Sequence, residues 1–384
     1  MRQPKDWGQP CPNADCAHYR LMNRGNMSAI STYLPQSGTR RIFLCRKCVR
    51  TFSETRDTVF FALRTPEEQV MMALKMLLVT VGLSDIGFVP GVTEETVLMW
   101  RERAAQKAHE RNAHLLRDLP VTRVQRDERW SFIRRQHAQH ANPDGERPEG
   151  SEDGRQGVWI SVAPECRRIL ATFVGPWTFE SALQLLHMTA AMVVGVPCFF
   201  RDGFRCDLLA LLEVSQTPTT FPRTGKPGRP KQPVKEPHPD LVSGQVSKKK
   251  RQGRLQELVS RVRCGPKRLK ELGRSISMSL LERLNLTLRQ ALAPLVRKSW
   301  SFCKDRTQMR RRVVLFHAFD NFARPHMSLR WPFPEQDRQG SGLMQPQWLP
   351  RTPGMAAGLT DHVWTFRELL TVKFEPIHNQ SNSG

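Results

Sequence analysis

The sequence predicts an α/β chain in which a strand-rich core follows a small cysteine-bound module and a pair of helices. Three observations carry that expectation. Four cysteines fall in two close pairs near the start, Cys11 with Cys16 and Cys45 with Cys48. Apolar residues then recur at helical spacing over 70–81 and again from residue 92. Beyond residue 120, short alternating runs at 122–133, 158–162 and 168–173 read as strands, and 178–192 reads as an amphipathic helix.

Charge narrows the function before any motif is considered. The 384 residues hold 59 Lys and Arg against 36 Asp and Glu, a formal charge of +23. Such an excess suits a polyanionic partner and argues against an acidic small substrate or a secreted disulfide scaffold. Hydrophobic residues make up 39%, enough to bury a core. The first ten residues are polar, so no secretory signal is expected. The most apolar window, 182–200, is broken by Gln184, His187, Gly195 and Pro197 and reads as a buried helix and strand. Double-stranded DNA is therefore the expected partner, with no membrane partner and a cytoplasmic, nucleoid-associated location.

The paired cysteines suit one tetrahedral zinc ion, since two turns can each deliver two thiolates. The run 41–44 leads into the second pair as a strand would, which makes 1–64 a zinc ribbon candidate. The other five cysteines read as ordinary buried thiols.

Residues 65–117 open with Thr65-Pro66-Glu67-Glu68, a helix start. One helix is expected to end at Gly82. A short turn at 83–86 and Pro90-Gly91 then lead to a second helix carrying Arg101, Arg103 and Lys107. This reads as helix-turn-helix, with those three cations facing DNA.

In the strand 122–133 an acid, Asp127, sits between Arg126 and Arg129. The short strand 197–201 ends at Asp202-Gly203. Three strands, a helix, then a strand ending in Asp is the opening order of an RNase H-like fold. A later helix from 277 carries Glu282, Asn285 and Arg289 on one polar face, opposite Leu281, Leu284 and Leu288. A carboxylate, an amide and a guanidinium together suit a phosphodiester and its metal. Between these acids, 215–240 is rich in Pro and basic residues, and 244–263 reads as a basic hairpin. Lys226-Pro227-Gly228-Arg229-Pro230-Lys231 is similar to an AT-hook, in which an extended Arg enters a minor groove; the alternative is a simple basic linker. The RNase H-like domain is expected over 118–330 with its basic insertion at about 215–265. The tail 331–384 is expected to be only partly ordered.

These motifs resemble those of InsAB-type insertion-sequence transposases. Asp127-Glu128-Arg129-Trp130-Ser131-Phe132 is similar to the family's DExWSF strand, and residues 281–289 are similar to its IERxNLxLR helix. Residues 297–302 resemble an RKSxSF segment. Asn321-Phe322-Ala323-Arg324-Pro325-His326 resembles a YNFxRPH ending, with Asp320 where Tyr often stands. Residues 11–52 look like the family's zinc finger. The resemblance implies a DDE transposase, which cleaves DNA at element ends and joins them to a target. Asp127, Asp202 and Glu282 then map onto its three carboxylates, holding Mg²⁺ or Mn²⁺, two ions at the catalytic site, and the protein is expected to act as a homo-oligomer on DNA. A catalytically inactive descendant that only binds DNA, and an RNase H-like nuclease or resolvase, are the alternatives.

Overall fold

A computed structural model describes residues 7–134, 154–202, 205–219, 234–252, 254–296, 302–332 and 347–375. The chain packs as two compact units. The first takes residues 1–115, 291–293 and 311–384, and the second takes 116–290 and 294–310.

In the first unit, β1 (Met27–Tyr33), β2 (Arg40–Cys45) and β3 (Thr51–Ser53) form an antiparallel sheet in that order. Its small core is Cys11, Cys16, Met27, Phe43 and Cys45, with Trp7 and Phe52 packed against it. So few apolar side chains cannot stabilise a module alone, which is where a metal is usually needed. Three helices follow: α1 (Glu67–Met76), α2 (Leu83–Phe88) and α3 (Glu94–Leu115). The stretch 83–86, expected to be a turn, is thus the start of a helix of its own. Its backbone runs close to the segment before α3, and a Cβ at Gly87 would lie 2.7 Å from the Val92 carbonyl oxygen.

The second unit is built on a six-stranded mixed sheet. Its members are β4 (Arg123–Ile133), β5 (Gly154–Ala163), β6 (Arg168–Gly175), β7 (Cys198–Arg201), β10 (Val242–Arg251) and β11 (Arg254–Cys264). The order is β11-β10-β7-β4-β5-β6. β4, β5 and β6 form an antiparallel meander, β7 runs parallel to β4, and β10 runs parallel to β7. This is a mixed α/β architecture with a strand order consistent with the RNase H-like expectation.

Helices cover both faces. α4 (Phe179–Ala190), capped by Thr178, lies over the face that carries Ser161, whose hydroxyl bonds Thr189 at 2.7 Å. α5 (Arg205–Val214) meets the same face through Asp207, which pairs with Arg126, the ladder partner of Ser161. Beyond α5, β8 (Gln216–Thr219) and β9 (Val234–Pro237) form a two-stranded ribbon; the AT-hook-like residues between them lie outside the described residues. α6 (Pro266–Glu271) follows β11. α7 (Ser279–Ala291) lies on the other face, bonded to Gln125. The strand pair β10–β11 is the expected basic hairpin.

The chain then contributes again to the first unit. α8 (Arg306–Phe322) belongs to it from Arg311 onward. β12 (Trp331–Pro332) pairs with β13 (Trp348–Leu349). α9 (Pro353–Ala356) and α10 (Phe366–Thr371) follow, the latter with a complete capping box at Thr365 and Glu368. The described part of the tail is therefore not loose. Phe366, Leu369 and Leu370 of α10 are buried, and Leu369 accepts a hydrogen bond from Arg111 of α3. These elements belong to the tail expected to be only partly ordered, of which 333–346 and 376–384 lie outside the described residues. No helix among the described residues is long and apolar enough to cross a membrane.

Candidate metal centre and acidic site

The four expected cysteines of the first unit come together. Their sulfurs lie within 4.8 Å of one another, with Cys11 to Cys48 at 3.7 Å and Cys16 to Cys45 at 3.9 Å. A tetrahedral zinc with bonds of about 2.3 Å needs sulfurs roughly 3.8 Å apart, so the set has the right size. The Asn26 amide donates to Cys45 at 3.1 Å, and the His18 backbone N–H donates to Cys16 at 3.4 Å. Burial raises the Cys11 and Cys16 thiols. Burial also acts upward on Cys48, yet the Arg50 N–H, the Asn13 amide and neighbouring thiols outweigh it and bring Cys48 down to about 7. Donors that favour thiolate at one corner of a thiol cluster suit a metal. The cluster is compatible with zinc.

The helical cations are placed less simply. Arg101 lies on the buried stripe of α3 with Val97, Trp100, Ala104 and Ala108, and is 1% exposed. It cannot present its guanidinium to a DNA backbone from there. The signal was present in the sequence: Arg101 is four residues after Val97 and three before Ala104, in the apolar register. Arg103 is half-buried and donates to the Phe61 carbonyl at 2.6 Å, while Lys107 pairs with Glu110 at 2.8 Å.

The acidic site of the second unit grows from strand register. Arg126 and Arg201 are the last ladder partners of the parallel pair β4–β7. One residue further along each strand are Asp127 and Asp202, side by side on the opposite face from the arginines. On that face Gln125 accepts from the Leu281 N–H at 3.0 Å and donates to the Ser277 carbonyl at 2.7 Å, securing the first turn of α7. One turn later the Asn285 amide donates to Asp127. Neither role of Gln125 is legible in the sequence, because the partners are more than 150 residues away.

Glu128 was not anticipated. Its neighbour Asp127 uses the α7 face, so alternation puts Glu128 on the other. β7 ends at Arg201, short of this level. Asp127, Glu128 and Asp202 offer carboxylate oxygens within 4.8 Å of one another. Crowding has the expected electrostatic effect. Burial, then the Asp202 charge, push Asp127 up to about 7, against the pull of Asn285. Burial and the charges of Asp202, Asp127 and Asp207 push Glu128 up to about 9. Three carboxylates that resist ionising together form a hard oxygen donor set and fit a divalent cation.

Glu282 is three residues before Asn285 on α7, but it is exposed and does not join the three acids. Its carboxylate pairs with Lys248 of the hairpin. Arg289 lies one turn beyond Asn285 and is half-buried. Lys226, Arg229 and Lys231 lie outside the described residues, as does most of the segment 297–302.

No family model matches this chain, and no curated protein matches it either. Among solved structures it is similar to complexes of Mos1. The Mos1 strand transfer complex is 12% identical, with 35% of this chain and 51% of that chain covered and a TM-score of 0.15. The Mos1 transposase paired-end complex with left transposon end and the Mos1 mariner paired end complex with Mn are each 11% identical, covering 35% of this chain and 52% of theirs, again at 0.15. The match spans about half the length of these Mos1 chains, and at such scores it carries no argument.

Proposed function

We propose that this chain is a DDE-type DNA transposase of the insertion-sequence kind, with its acidic site in the second unit and a zinc-stabilised, DNA-end-reading first unit. The observation that carries the reading is the register of β4 and β7, which brings Asp127 and Asp202 together beside Asn285 of α7. That is the juxtaposition the motif resemblance requires of residues far apart in sequence.

Asp127, Glu128 and Asp202 would hold Mg²⁺ or Mn²⁺. Glu282 is available as a further ligand once Lys248 releases it; an exposed pair of this kind is worth about 0–1 kcal/mol, so release costs little. When bound, such ions activate a water and stabilise the leaving 3′ oxygen. The chain's own residues set the stage: Gln125 fixes α7, Asn285 orients Asp127, and Arg289 extends the polar helix face toward a DNA strand. Beyond Gln245, the last partner of β7, the hairpin continues through Ser247, Lys248 and Lys249. It thus passes the end of β7 on the side of the acids, as a basic rail for phosphates. Cys11, Cys16, Cys45 and Cys48 would hold one Zn²⁺, and α1 with α3, joined through the segment that holds α2, would form the helix-turn-helix expected over 65–117. Arg103 and Lys107 then serve DNA only by exchanging their present partners. Lys226, Arg229 and Lys231 remain candidates for minor-groove contact, and an oligomer on DNA is part of the same reading.

The test is cleavage and joining of DNA carrying the ends that flank the native gene, in Mg²⁺ or Mn²⁺. The expected result is cation-dependent 3′-OH formation and strand transfer, both lost in Asp127→Ala and Asp202→Ala with end binding retained. Cleavage without joining would favour the nuclease reading, and cation-independent binding with no cleavage would favour the inactive descendant.

A further inference from the structure

Behind the acidic site, on the opposite face of the sheet, lies a group of buried charges that the reading above does not use. Arg126 and Arg201 precede the two aspartates and are ladder partners. They are 2% and 4% exposed. Two guanidiniums on neighbouring strands repel each other strongly away from water. Asp207 of α5, itself 4% exposed, faces both, and the Glu128 charge also acts on both. Asp207 accepts from Arg126 at 2.6 Å and lies 3.9 Å from Arg201. Arg126 also stacks over the Phe199 ring at 5.3 Å, and Arg201 donates to Gln245 of β10 at 3.4 Å.

The placement matters because of where the ladder stops. Arg126↔Arg201 is its last register pair, and Asp127 and Asp202 follow it directly. Asp202 lies between Arg201 and α5, and the first turn of α5 carries Asp207. In sequence Asp202 is thus flanked by Arg201 and Asp207, two buried charges that face each other. The same carboxylate grips the residue before the first acid.

We propose that Asp207 is a positioning residue: by drawing Arg126 and Arg201 together behind the sheet, it holds Asp127 and Asp202 side by side in reach of one divalent cation. The inference rests on the reading of those two acids as cation ligands. Asp207 itself touches neither the cation nor DNA. A carboxylate that only neutralised a buried arginine would need one partner. This one faces both members of the terminal ladder pair, each a single residue from an acid.

The experiment is a Mn²⁺ titration of the full chain, read by the loss of the free-ion electron paramagnetic resonance signal, beside thermal unfolding. Asp207→Asn is expected to weaken Mn²⁺ binding at least tenfold, and Asp207→Glu, which keeps the charge, to recover it to within threefold. The apolar variant Arg126→Met, Arg201→Met and Asp207→Leu removes all three charges and leaves no buried guanidinium without its carboxylate. It is expected to unfold near the parent's midpoint yet keep the weakened affinity, a separation that a purely structural role would not give. Where Asp207→Asn does not fold, the apolar variant decides alone. Parent-like Mn²⁺ affinity, within twofold, in the folded Asp207→Asn and apolar variants overturns the clamp. Asp127→Asn is titrated in parallel. If it loses Mn²⁺ while the Asp207 variants do not, only the clamp falls. If it too leaves Mn²⁺ binding unchanged, the reading of the acids falls and the clamp with it.

Discussion

At the scale of single residues, the acidic site makes two predictions. Asp127 and Glu128 are raised to about 7 and about 9 by burial and mutual repulsion. In the cation-free protein they hold protons that the unfolded chain releases near pH 4, so folding loses stability as pH climbs through about 7 and then about 9. Cations compete with those same protons. Mn²⁺ affinity is therefore expected to rise from pH 6 to pH 8, and the stabilisation that Mn²⁺ gives on thermal unfolding should be larger at pH 8. A flat Mn²⁺ affinity over that range would show that these acids are not the ligands. The second prediction compares the third carboxylates. Glu282→Ala is expected to abolish joining, as the motif resemblance implies, whereas Glu128→Gln, at the second position of the DExWSF-like strand, should weaken Mn²⁺ binding severalfold. If Glu128→Gln abolishes activity and Glu282→Ala retains it, the third acid of the site is Glu128. Effects of the acids should not add, since one removal already disables the shared site.

At the scale of elements, the cysteine module and the hairpin each rest on something other than a core. The sheet β1–β2–β3 encloses few large apolar side chains, so Cys45→Ser should release zinc and unfold residues 7–53, seen as loss of one Zn²⁺ per chain and of amide protection in that sheet. Unchanged protection after zinc loss would make the cysteines a plain buried cluster. The hairpin carries Lys248 and Lys249 past the end of β7, paired with Glu282 and Glu257. Lys248→Ala with Lys249→Ala should weaken DNA binding uniformly across sequences and reduce the salt slope by roughly two, as expected for two phosphate contacts. A sequence-dependent loss would instead mark base readout.

At the scale of the whole molecule, the first unit draws on both ends of the chain. Leu369 is fully buried and its carbonyl receives Arg111 of α3. Leu369→Ala should cost about 2–5 kcal/mol, the range for emptying such a site, and should lower the unfolding midpoint of the first unit. Removing residues 347–384 should do the same more strongly, while Mn²⁺ binding in the second unit is retained. A truncated chain with an unchanged midpoint would show that residues 347–384 add nothing to the stability of the first unit.

The sequence by itself determined what is local. The cysteine pairs, the meander of β4, β5 and β6, the helix capped by Thr178, the hairpin and the stripe of α7 all follow from spacing and periodicity, which depend on near neighbours. Asp127 and Asp202 were legible as acids at strand positions. Only the tertiary structure decided what stands beside them. Register places Asp202 next to Asp127, Glu128 joins them, Gln125 holds α7 from 156 residues away in sequence, and Lys248 draws Glu282 aside. Burial likewise moved Arg101 from a DNA-facing cation to the core of its helix bundle. Each of these depends on packing between distant segments, and a side chain's type says what it can bond but not which distant partner the fold will bring to it.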